Sequence, residues 1–220
     1  MKSIHALLRN TQFLFEQMRN PKQWGVILLE LAIISLLGLA GFGAAMGAFT
    51  THWWWPLQLS GKIILLFWGT YALTTPSLIV FSALRGSRIG GMQLCYLLIG
   101  SLATSGIVLA ALLPITWFFA WTDEIHVGPM VRLIHIFAFF IAFFFGTQFL
   151  AKGMRAFHRE EKQRDAHHSS ATDILLIWSV LVLIVGIQLA HKIGPWYEQP
   201  QGMACSTGLL DSNCIPQPEE

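Results

Sequence analysis

Charge is what this chain has least of. Charged residues make up 12% of its 220 residues, about half of the ~25% usual in soluble domains. That shortfall excludes an ordinary soluble globular domain. The formal net charge is +2, too small for the basic footprint of a nucleic-acid binder. Catalytic signatures are missing as well. Nothing in the chain matches a phosphate loop, a nucleophile elbow, a zinc-protease helix or a carboxylate pair. Ser77, Ser101 and Ser105 have no histidine at matching depth to act as a base. Too few polar residues remain outside the apolar stretches to build a soluble catalytic module, so no enzymatic activity is expected.

What is present is apolar. Hydrophobic residues reach 54%, with 16 Phe and nine Trp, and the mean hydropathy is +0.56. The chain is organised around two long apolar runs joined by Arg85-Gly86-Ser87-Arg88. Each run exceeds the roughly 20 residues that a helix needs to cross a hydrocarbon core. The turn between them carries two cations and must stay in water or at lipid headgroups. The same hydropathy pattern predicts five spans, at about 24–49, 59–84, 92–117, 130–151 and 172–191, within a membrane domain of residues 22–192. The fold expected is all-α: an integral membrane bundle of five transmembrane helices preceded by an interfacial helix.

That leading helix is read over residues 1–21. Ile4, Leu8, Thr11, Phe15 and Met18 recur at helical spacing, Lys2, Arg9, Glu16 and Arg19 lie elsewhere on the wheel, and Asn20-Pro21 ends the pattern. Such a helix lies in the headgroup plane; the alternative is packing against the bundle. The first span is too long for the 7–15-residue core of a signal peptide. Its Gly38, Gly41, Gly43 and Gly47, with Ala40 and Ala44, form a small-residue face suited to close helix contact. Gly100, Ala103, Thr104, Gly106, Ile107 and Ala110 mark a similar side on the third span. His52-Trp53-Trp54-Trp55-Pro56 reads as an interfacial anchor. Pro76 removes a helix hydrogen bond from the second span, and Thr74 and Thr75 are expected to satisfy the freed carbonyl.

Lysine and arginine gather on one side. They occupy the leader, the Arg85–Arg88 turn and the segment after the fourth span (Lys152, Arg155, Arg159, Lys162, Arg164), whereas on the opposite side Lys192 alone lies outside the spans. The positive-inside rule then places the amino terminus in the cytoplasm and residues 193–220 outside, in a bacterial inner (plasma) membrane. An odd number of crossings is required, as five provides. Cys205 and Cys214 fall on the oxidising side and are expected to pair. Cys95 is a packing residue, and the tail pair lacks the further ligands of a metal site.

Ionisable groups inside the apolar spans are functional candidates because their placement costs free energy. Glu30 sits about two turns from the cytoplasmic face, with Thr75, Ser77, Tyr96 and Gln148 at similar depth. They form either an interhelical polar clasp or, with Pro76, the moving part of a small transporter. Lys62, Arg132, His135, Gln188 and His191 form an outer layer within reach of Asp123 and Glu124. The reading is snorkelling with a rim salt bridge. No cofactor is expected; the alternative is axial haem b or metal ligation by His135 and His191, with His52 and His126 nearby. A single layer of histidines gives no transmembrane electron path.

The segment Pro76-Ser77-Leu78-Ile79-Val80-Phe81-Ser82-Ala83-Leu84-Arg85-Gly86, with five spans and an amphipathic leader, resembles the Yip1-type family of small integral membrane proteins. The resemblance covers residues 24 to 190 and implies a non-enzymatic organiser or adaptor. The long tail with Cys205 and Cys214 departs from it. The expected role is a scaffold, adaptor or accessory subunit. Its partners would be the bilayer and other membrane proteins or further copies of itself.

Overall fold

A computed structural model describes residues 24–48, 53–84, 91–122, 129–161, 171–194, 196, 203–205 and 214–216. Five helices carry the apolar runs: α1 (Trp24–Gly47), α2 (Trp55–Leu84), α3 (Gly91–Thr122), α4 (Pro129–Glu161) and α5 (Ala171–Ile193). Each contains a stretch long and apolar enough to cross a membrane, namely Gly25–Gly47, Trp55–Ala83, Gly91–Phe119, Met130–Ala156 and Leu176–Ile193. Helix is the required form here, because hydrocarbon offers backbone amides no other partner. The leader, the Arg85–Arg88 turn, the loop with Asp123, Glu124 and His126, His52 and residues 162–170 lie outside the described residues.

The largest departures from the hydropathy boundaries are at three helix ends. α2 starts at Trp55, because Pro56 is tolerated in a first turn; the amides of Leu57 and Gln58 both donate to Trp54 O at 3.1 Å. α3 continues through Pro114 to Thr122, where the apolar criterion stops at 117. Its 32 residues span about 48 Å at 1.5 Å each, well beyond a ~30 Å core. α4 runs past Ala151 to Glu161, since Lys, Met, Arg, Ala and Glu are good helix formers whatever their polarity.

Packing follows the small residues. α3 lies along both α1 and α4, α1 also lies along α2, and α2 lies along α5. The helices therefore close a ring in the order α1, α3, α4, α5, α2, and α4 and α5 touch only thinly. At the α1–α3 crossing Gly38 and Gly106 meet backbone to backbone: a Cβ on Gly38 would collide with Gly106 O, and one on Gly106 would lie 3.0 Å from Ser35 O. At the antiparallel α1–α2 crossing Gly43 faces Ser60 and Gly47 faces Pro56. Ser60 Oγ bridges that contact, its one proton shared between Ala40 O at 2.9 Å across the interface and Pro56 O at 2.8 Å on its own helix. The glycine face of α1 thus serves two intramolecular neighbours.

Phenylalanines divide between inside and outside. Phe42 of α1 is fully buried and meets Phe139 of α4 edge-on, with centroids 5.6 Å apart. Phe137, Phe140, Phe144 and Phe145 of the same helix are exposed. In water that much apolar surface would mark an association site; on helices of spanning length it is the face for lipid tails. Beyond α5, Trp196 folds back fully buried, and its indole N–H donates to Ala190 O at 2.8 Å. It caps one of the carbonyls a helix end leaves open. The tail beyond is more regular than its Pro, Gly and Gln content suggests: β1 (Met203–Cys205) pairs antiparallel with β2 (Cys214–Pro216).

Candidate functional site

The polar residues that the bundle brings together are mostly neutral. Ser101 and Ser105 are spaced four apart on α3, so they share one face; Ala142 and Gly146 have the same spacing on antiparallel α4. The two rows engage in register: Ser101 Oγ donates to Gly146 O at 2.7 Å and Ser105 Oγ donates to Ala142 O at 2.9 Å. Gly146 is required for this approach, since a Cβ there would meet Ser105 Oγ and, at 3.1 Å, Ser101 Oγ.

Tyr71 of α2 completes the cluster. Its hydroxyl lies 2.9 Å from Ser101 Oγ. A serine hydroxyl has one proton, and that of Ser101 is on Gly146 O, so Tyr71 donates and Ser101 accepts. The Tyr71 ring meets Trp178 of α5 edge-on, with centroids 5.8 Å apart. The Trp178 indole N–H donates to Thr74 O at 3.1 Å. One contiguous cluster therefore links α2, α3, α4 and α5 at the centre of the ring. Ser101 thus acts as both donor and acceptor between helices.

Around Pro76 the hydroxyls act differently from expectation. Proline at 76 frees the carbonyl of Ala72, one helical turn back. Thr75 Oγ1 donates to Tyr71 O at 2.6 Å, Thr74 Oγ1 to Thr70 O at 2.8 Å and Ser77 Oγ to Thr74 O at 2.7 Å. The threonines brace the carbonyls beside the gap rather than the freed one. Thr75 and Ser77 therefore spend their hydroxyl protons on their own helix. Gln148 is exposed on α4 and Glu30 is half-buried on α1. The polar centre that the structure assembles is the Tyr71–Ser101–Trp178 cluster. Its signal in the sequence was the pair of four-residue spacings, Ser101 with Ser105 and Ala142 with Gly146.

The outer layer is scattered. His135 is 2% exposed, with its ring edge-on to Phe42 at 5.9 Å. His191 is exposed in the last turn of α5, as is Gln188 one turn before it. Arg132 is half-buried one turn before His135. Lys62 places its ammonium 5.4 Å from the Trp55 ring centroid, a cation–π contact on its own helix. Among the described residues no group of three or more His, Cys, Asp or Glu side chains converges as a metal site would need. Cys95 is half-buried as a free thiol. Cys205 and Cys214 stand directly opposite each other in the β1–β2 register; their side chains lie outside the described residues. No family model, no curated protein and no solved structure matches this chain.

Proposed function

We propose that this chain is a non-enzymatic scaffold, adaptor or accessory subunit of a larger membrane assembly. The supporting observation is the closed polar centre: Tyr71, Ser101, Ser105 and Trp178 each spend their donor on another helix of the same chain. Saturated hydroxyls between glycine crossings favour a stiff body over a carrier that must rearrange. The exposed apolar flanks and the basic leader then supply contacts to lipid and to other membrane proteins or further copies of this chain. Co-purification in mild detergent tests the reading. The full chain is expected to bring down stoichiometric membrane partners, and deletion of residues 1–20 is expected to weaken that association while insertion continues. Partner recovery unaffected by the deletion would count against the leader's role, and a chain that purifies alone would end the reading.

In the proposed orientation the amino terminus is cytoplasmic and the tail extracytoplasmic, in a bacterial inner membrane. The tail ladder supports a Cys205–Cys214 disulfide there. Directly opposed residues on antiparallel strands have Cα atoms about 4.5–5.5 Å apart, inside the ~4.4–6.8 Å that a disulfide accepts. Both thiols are expected to resist alkylation until a reductant is added. They should then react with a membrane-impermeant maleimide on intact cells, whereas a cysteine placed at Ser87 in the hairpin turn should not. Tail thiols reduced in the cell, with the Ser87 site labelled from outside, would reverse the topology.

A further inference from the structure

The thin α4–α5 seam contains a cavity of ≈170 Å³, open on its side. Its walls include Ala151 and Leu176 with the Trp178 ring behind them, and Gln148, Ser179 and Arg155 add polar groups. Arg155 lies in the last turn of the apolar stretch Met130–Ala156, hence at headgroup level. Its side chain is exposed at the rim of the cavity. From Lys152 to Arg159 the chain has three cations and no acid, the first acidic residue being Glu160. We infer that this seam is a binding site for one anionic phospholipid, its phosphate on Arg155 and one acyl chain between α4 and α5.

Size and charge choose this occupant. Engineered apolar cavities of about 150 Å³ take a molecule the size of benzene, so the seam admits a slender chain segment, not a helix ~10 Å across. The guanidinium fork matches two phosphate oxygens, and basic pockets between spanning helices suit such headgroups. Gln148 lies two turns deeper on α4, about 10 Å below Arg155. Ser179 already donates to Leu176 O at 2.8 Å, which leaves the Gln148 amide as the donor for an ester carbonyl. The inference rests on α4 and α5 being membrane-spanning; its failure would leave the co-purification test of the scaffold role untouched.

The test is native mass spectrometry of the full chain, exchanged in mild detergent against equal phosphatidylglycerol and phosphatidylcholine. One phosphatidylglycerol should be retained per chain in preference to phosphatidylcholine. Arg155→Gln should lower its retention about fivefold, the equivalent of the ~1 kcal/mol that a basic residue contributes near an anionic lipid surface. Lys152→Gln, one turn away and equally exposed, should retain it as the parent does. Ala151→Phe should exclude lipid by filling the seam with no change of charge. Equal retention of the two lipids, an unaffected Arg155→Gln, or equal losses in Arg155→Gln and Lys152→Gln would overturn the site. So would displacement of the lipid by soluble glycerol phosphate, which would mean a free-anion site. The two exposed substitutions leave the helix interfaces intact and decide the matter even if Ala151→Phe folds poorly.

Discussion

Alanine at Gly38 or Gly43 will destabilise the bundle severely, whereas alanine at Gly41 on the same helix will be almost silent. All three changes add one methyl to α1 and raise its intrinsic helix propensity equally, by up to ~1 kcal/mol. They differ only in what the methyl meets. At Gly38 it collides with the Gly106 carbonyl, and at Gly43 it lies 2.5 Å from Ser60 Cα. Both obstacles are backbone, so relief requires two helices to move apart and lose contact along their length. At Gly41 the nearest atom is Leu113 Cδ1 at 3.7 Å, ordinary van der Waals contact. Overpacking typically costs about 1–3 kcal/mol and more where nothing can yield. Lipid tails are as apolar as the interface, so separated helices recover no hydrophobic driving force on coming back together. Unfolding in mixed dodecyl sulfate micelles should place Gly38→Ala and Gly43→Ala well below the parent, and Gly41→Ala at or slightly above it. Equal losses at the three positions would mean that the α1 crossings are not those described.

The number of helices was legible because hydropathy over ~20 residues is a strong signal, as in Gly25–Gly47 and Met130–Ala156. Their ends were less so. Apolarity marks where lipid stops and says nothing of where hydrogen bonding stops, so α4 outran its apolar stretch to Glu161. The small-residue face of α1 was visible from spacing, yet only the structure divides it between Gly106 on α3 and Ser60 and Pro56 on α2. The site was read least well. Glu30 and His135 draw the eye in the sequence because ionisable groups stand out against an apolar background. The groups that meet at the centre are a phenol, two serines, an indole and backbone carbonyls. Carbonyl acceptors are present at every position and so leave no trace in composition. Trp196 is silent in the sequence for a similar reason: its indole caps Ala190 O, a backbone acceptor, and nothing in a polar tail signals that it returns to the core.

Trp178→Ala is expected to loosen α5 from the bundle, and Trp178→Phe is expected to do so only slightly. α5 is held mainly by α2 and meets α4 thinly, and Trp178 is its largest fully buried side chain. Truncating a buried Trp to Ala typically costs about 3–5 kcal/mol. The indole hydrogen bond is the smaller part, since interhelical bonds in membranes average ~0.6 kcal/mol. Losing it also leaves no orphan, because Thr74 O keeps the Ser77 hydroxyl at 2.7 Å. Phenylalanine preserves an aromatic edge for Tyr71 and most of the volume, so packing outweighs polarity in this comparison. The order of stability in mixed micelles should be parent, then Phe close behind, then Ala far below. Trp178 also walls the α4–α5 cavity, so the Ala variant should lose its retained phosphatidylglycerol while the Phe variant keeps it. A phenylalanine variant as unstable as the alanine one would shift the weight from packing to the Thr74 hydrogen bond and reverse this account of how α5 is held.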